Sequence, residues 1–151
     1  MMDAIARATE KELPHERWNL HRVHHLNPAD QDPAYTVAYN ATNAARQLEL
    51  AALVVPTLSG RSARIISAHR PTVPIYVLSP EPEVVRRAAL MWGVEAASIR
   101  PHAITEELIA DAARRVVELG WVKPGDRIGI TAGLPSGQPG TTSLLQIQRA
   151  G

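Results

Sequence analysis

Cysteine is missing from all 151 residues, so disulfides and thiolate metal sites are excluded outright. Phenylalanine is missing too, and all aromatic residues together reach only 4%, so the core has to be aliphatic. Cores of Val, Ile, Leu and Ala are common where helices pack on a parallel sheet. Neither charge dominates, because sixteen Lys+Arg face fifteen Asp+Glu and leave a net +1. That balance offers no polyanion-binding surface and argues against a nucleic-acid partner. No apolar run approaches a membrane span, and no signal-peptide pattern opens the chain. A membrane partner is therefore not expected, and a cytoplasmic location fits best. Internal repeats and low-complexity tracts are also absent.

What is present suits one domain with one core, taken as residues 1–151: 45% hydrophobic residues with 21% charged. Apolar Met2, Ile5, Ala6, Ala8 and Leu13 fall at near-helical spacing until Pro14 stops them. Residues 14–33 are polar and read as a surface crossing. An Ala-rich helix follows from about Pro33 to Leu50, capped by Asp32. Helices then alternate with short apolar runs, predicting strands near 52–56, 74–78, 94–98, 127–131 and 142–148. The intervening helices are expected from Gly60 to His69, from Ser79-Pro80-Glu81 to about Trp92, and from Thr105 to Leu119, with Gly120 as its stop. Strand–helix–strand alternation implies right-handed crossovers and a mostly parallel sheet. The last connection is too short for a helix, so the final strand is predicted antiparallel. The expected fold is an α/β/α three-layer sandwich on a five-stranded sheet.

Ligands in such sheets collect beyond the carboxyl ends of the strands. Two loops fall there. Thr57-Leu58-Ser59-Gly60-Arg61-Ser62 joins a strand to a helix start, where free N–H groups and the positive dipole end attract an anion. Gly60 permits close backbone approach, Thr57, Ser59 and Ser62 add hydroxyls, and Arg61 adds charge. The competing reading is that Ser59 or Ser62 simply caps the helix. The second loop runs from Gly133 to Thr142 and contains Ser136, Gly137 and Gly140. It is no Walker loop, since neither a Lys nor a helix follows, and alone it reads as a long hairpin connection.

These loops, in this order, resemble the effector-site loops of the pyruvate kinase C-terminal domain of bacterial type. Thr57, Gly60 and Ser62 match a threonine-x-x-glycine-x-serine signature. Arg70-Pro71-x-x-Pro74-Ile75, Leu90-Met91-Trp92-Gly93-Val94 and Gly120-x-x-Lys123-x-Gly125-Asp126 are similar to stretches that follow it in the family. So are Thr131-Ala132-Gly133-Leu134-Pro135 and Gly140-Thr141-Thr142. Met1 to Ala6 looks like the helix that leaves the family's catalytic barrel, which makes residues 1–13 the lead-in from a barrel this chain lacks.

The resemblance implies an allosteric effector-binding and subunit-interface domain, with Thr57, Ser59, Gly60, Arg61, Ser62, Ser136, Gly137 and Gly140 around a phosphate. It implies a homo-oligomer as well. Members that bind fructose bisphosphate carry a basic residue where this chain has Glu106-Glu107-Leu108-Ile109. AMP or a sugar monophosphate is therefore expected ahead of the bisphosphate. No catalytic residue is assigned. The chain alone is not expected to make pyruvate and ATP from phosphoenolpyruvate and ADP, and Mg and K are expected only in the absent barrel domain. The alternatives are a free-standing relative that acts on or senses a phosphorylated metabolite, or a purely structural oligomerisation domain. His15, His21, His24 and His25, with Asp30 and Asp32 nearby, match no zinc spacing and read as a polar loop, so no metal site is assigned. Trp92 reads as packing.

Overall fold

Helix α1 (Pro33–Gln47) starts where it does for two local reasons. The Asp32 side chain accepts the Ala34 N–H at 2.9 Å, and Pro33 sits where a missing N–H costs nothing. The structure, a computed structural model, describes residues 32–133 and 142–151, together with Ile5, Ala8 and Thr9. Met1–Asp30 and Gln31–Gly151 are separate compact units. In the first unit the three described residues are helical, and the Thr9 hydroxyl donates to the Ile5 carbonyl.

Along α1, Ala34, Ala38, Ala41 and Ala45 recur at helical spacing and are all buried. This small-residue stripe belongs to the chain's own core, where methyl groups let the helix lie close to the sheet. The helix stops at Gln47, three residues short of the expected end. Leu50 N–H bonds Ala45 O at 2.9 Å and Glu49 N–H bonds Arg46 O at 3.4 Å, a Schellman closure.

The strands are β1 (Ala52–Pro56), β2 (Ile75–Ser79), β3 (Val94–Ser98), β4 (Arg127–Gly133) and β5 (Thr142–Arg149). They lie in the order β3-β2-β1-β4-β5, parallel except for the β4–β5 pair. Each falls within two residues of its predicted span. β1 is central and every one of its residues is buried. Its alternate side chains feed two different cores, as the pleat dictates. Leu53 and Val55 join the alanines of α1 with Ala63, Ile65 and Ile66 from helix α2 (Arg61–Ala68), and Ala88 from helix α3 (Pro82–Ala88). Ala52 and Val54 face the other way, with Ile128 and Ile130, toward Ile109, Ala112, Ala113 and Val116 of helix α4 (Thr105–Glu118). Helices thus cover both faces, as the alternation required. Burying the aliphatic side chains of β1 contributes roughly 1.5–3 kcal/mol for each Val or Leu.

One helix is shorter than expected. α3 ends at Ala88 rather than near Trp92, because the chain leaves in a turn through Met91 N–H to Ala88 O and Gly93 takes φ +67°. Leu90, read as helical, is 90% exposed on that turn. Tyr76 and Trp121 stack at 4.6 Å, and the Tyr76 hydroxyl donates to the Trp121 carbonyl, so the few aromatics serve as local packing.

Candidate functional site

After β1 the backbone turns through four residues before α2 begins. Thr57 Oγ1 accepts the Gly60 N–H at 3.0 Å, and Ser59 Oγ accepts the Arg61 N–H at a weaker 3.4 Å. Gly60 is the residue that opens α2, with φ +77°, in the left-handed region that disfavours a side chain. Gly60 itself, as the N-cap, supplies no side-chain cap. The first internal bond of the helix is Arg64 N–H to Gly60 O, and the N–H groups of Ser62 and Ala63 have no acceptor among the described residues. Two N–H donors and the positive dipole end therefore lie at the carboxyl edge of the sheet.

Ser62 is not a cap, contrary to the simpler reading of the sequence. Its hydroxyl lies 2.5 Å from Thr142 Oγ1, the first residue of β5. Gly133, the last residue of β4, pairs with Thr142 across the ladder. Both ends of the second loop thus sit at the same edge as the first loop, and Ser62 touches one of them. Ser136, Gly137 and Gly140 lie outside the described residues, as do the histidines of residues 15–25.

Arg61 takes an unexpected course. Its guanidinium pairs with the Asp32 carboxylate and lies 5.8 Å over the Tyr35 ring, both at the start of α1. Asp32 is held below the usual carboxylate range, first by the Ala34 N–H and then, against the opposing effect of burial, by Arg61. Thr142 and Asp32 are the partners that sequence reading did not assign to the site. The Thr141-Thr142 pair closing the second loop was the signal for one, whereas a cap residue such as Asp32 gives no sign of a second partner.

A second polar cluster, also unforeseen, lies between β3 and α4. Asp111 accepts from Arg100 Nε at 3.1 Å, His102 Nε2 at 2.8 Å and Arg114 Nη2 at 2.5 Å. Burial alone would raise its pKa, but the Arg114, His102 and Arg100 hydrogen bonds prevail and lower it to about 2. The His102 side chain is 7% exposed and its other nitrogen stands 3.9 Å from Glu107. This network ties the segment after β3 to α4. Among the described residues no group of three His, Cys, Asp or Glu could hold a metal ion, and no helix is long and apolar enough to cross a membrane. Trp92 carries Arg70 over its ring at 5.7 Å, and its carbonyl accepts from Ser67 Oγ.

Comparison with known proteins fits this arrangement. The family described as "Pyruvate kinase, alpha/beta domain" matches residues 35–148. The pyruvate kinase of Geobacillus stearothermophilus is 36% identical over 148 residues, covering 97% of this chain and 24% of that protein. The pyruvate kinase of Clostridium acetobutylicum is 30% identical over 147 residues, covering 97% of this chain and 30% of its own length. That of Staphylococcus aureus is 38% identical over 116 residues, covering 77% and 19%. The chain spans under a third of the length of these relatives.

Proposed function

Because the chain belongs to the pyruvate kinase family as its alpha/beta domain, we propose that it binds a phosphorylated metabolite as an effector and carries a subunit contact of the enzyme. The observation that carries this reading is the Ser62–Thr142 contact, which joins the start of α2 to the end of the second loop. Phosphate binding without covalent chemistry needs several donors converging on one anion. The N–H groups of Ser62 and Ala63 and the hydroxyls of Thr57, Ser59 and Ser62 supply them. In this reading Ser136, Gly137 and Gly140 of the second loop also belong to the ligand's shell, and Arg61 adds charge.

A monophosphate such as AMP or a sugar phosphate suits this site better than fructose bisphosphate. Glu106 and Glu107 occupy the first turn of α4, and Leu108 packs against the core rather than reaching for a second phosphate. Transfer between phosphoenolpyruvate and ADP, with its Mg and K, belongs to another domain of the intact cytoplasmic enzyme. Self-association is assigned to β5, an edge strand whose Ile147 is 40% exposed. Sedimentation showing only monomer at high concentration removes that contact.

Calorimetry of the full chain against AMP, ribose 5-phosphate, glucose 6-phosphate and fructose bisphosphate tests the site. Ser62→Asp places a carboxylate in the first turn, which suits the helix dipole but repels an anion. At least one monophosphate should bind, and Ser62→Asp should weaken it by at least about tenfold, or roughly 1.4 kcal/mol. Silence across the panel, or unchanged affinity in a folded Ser62→Asp protein, defeats the reading.

A further inference from the structure

Arg61 is the first residue of α2, so its side chain departs from beside the unbonded N–H groups of Ser62 and Ala63. A helical side chain leans toward the N-terminus, which carries this one out over the helix start. Yet the guanidinium is already engaged with Asp32 Oδ2 and lies over Tyr35. We infer that Asp32 is a built-in competitor for the anion: a phosphate gains the Arg61 charge only by displacing the Asp32 carboxylate from it. The inference rests on the anion-site reading above and adds how that site is regulated.

Two observations support the exchange. Asp32 does not depend on Arg61 for its position, because its other oxygen accepts the Ala34 N–H at 2.9 Å as the cap of α1. It stays a fixed negative charge beside the site whether or not Arg61 leaves. The two side chains are 35% and 27% exposed, open enough for a small anion to reach. Partly exposed ion pairs of this kind are weak, so the exchange is within reach of an ordinary ligand. A guanidinium fork fits carboxylate and phosphate alike, so the two compete for the same donors. The consequence is a charge threshold. A phosphomonoester dianion outcompetes Asp32, whereas a singly charged carboxylate metabolite meets its repulsion without that reward.

The test uses the full chain and two probes, AMP and inorganic phosphate, titrated by calorimetry. Asp32→Asn removes the charge and keeps a good helix cap. It should bind both probes about two- to fivefold more tightly than the unmodified protein. Arg61→Gln should weaken binding much more in the Asp32→Asn background than alone, a non-additivity that a merely structural role for Asp32 would not produce. Asp32→Ser, also a good cap, replaces Asp32→Asn should thermal melting show the latter unfolded. Equal affinities with and without Asp32, or a gain undiminished by loss of Arg61, overturns this inference alone. No binding of either probe by any of these proteins overturns the anion-site reading and this inference with it.

Discussion

Gly60→Ala is the sharpest probe of the loop that opens α2. Gly60 has φ +77°, and an alanine held there costs about 1–2 kcal/mol through contact of Cβ with the following carbonyl. The added Cβ would also stand 3.3 Å from Val84 Cγ1 and 3.9 Å from Met91 Cε. Val84 is only 4% exposed on α3, so relieving the closer contact means shifting packed structure, adding roughly 1 kcal/mol. Loss of unfolded-state freedom returns about 0.4–1 kcal/mol. The expected net loss is about 1.5–2.5 kcal/mol. Gly120 provides the control, with a similar φ of +71° and nothing within 4 Å of its Cβ. Gly120→Ala should therefore lose only the conformational part, about 1 kcal/mol or less. Urea titration of both variants measures the difference, and AMP titration adds a functional reading. Gly60→Ala should lose affinity while Gly120→Ala keeps it. Equal losses of stability at the two positions would refute the crowding against Val84, and a Gly60→Ala protein as stable as the parent would refute the left-handed start.

Two further outcomes follow from buried polar groups. Asp111 titrates at about 2 in the folded chain, below the ordinary unfolded carboxylate, so its network stabilises above about pH 4 and is lost as pH falls through 2. Its arginine partners are more than half exposed, which reduces the effect; Asp111→Asn should cost about 1–2 kcal/mol at pH 7, and a gap that fails to close between pH 4 and 2 in urea titrations would contradict this assignment. Thr131, 1% exposed in β4, has a hydroxyl with no hydrogen-bond partner among the described residues. Thr131→Val should therefore stabilise by about 1–2 kcal/mol in a thermal melt, and destabilisation would mean the hydroxyl has a partner.

The architecture was legible because its signals are local. The run Ala51 to Val55 between a helix pattern and Pro56, and Gly120 after α4, each mark an element boundary without knowledge of the rest. Asp32 declared itself as a cap for the same reason. The end of α3 was less readable, since Leu90 and Met91 continue an apolar pattern although the backbone has already turned. The site was legible as two loops but not as a set of contacts. Nothing in sequence spacing says that Ser62 meets Thr142, or that Arg61 turns to Asp32. The Asp111 network joins Arg100, His102 and Arg114 around a carboxylate at spacings that match no motif. Such pairings depend on how elements dock, which short-range patterns do not encode. The Ala-rich face of α1 shows the converse problem, because small residues suit a core and a subunit contact equally well.

The central place of β1 has a kinetic corollary. Its pairing with β2, that of β2 with β3, and the β4–β5 hairpin each join neighbours in sequence, so each closes a short loop. The seam between β1 and β4, where Val54 meets Ile130, closes the longest loop in the sheet. Loop-closure entropy places that seam late in folding. Thr57 and Ser62 follow β1, while Gly133 and Thr142 flank the β4–β5 connection, so the seam also brings the site together. Folding of the two halves produces the pieces of the candidate site, and only their final docking completes it.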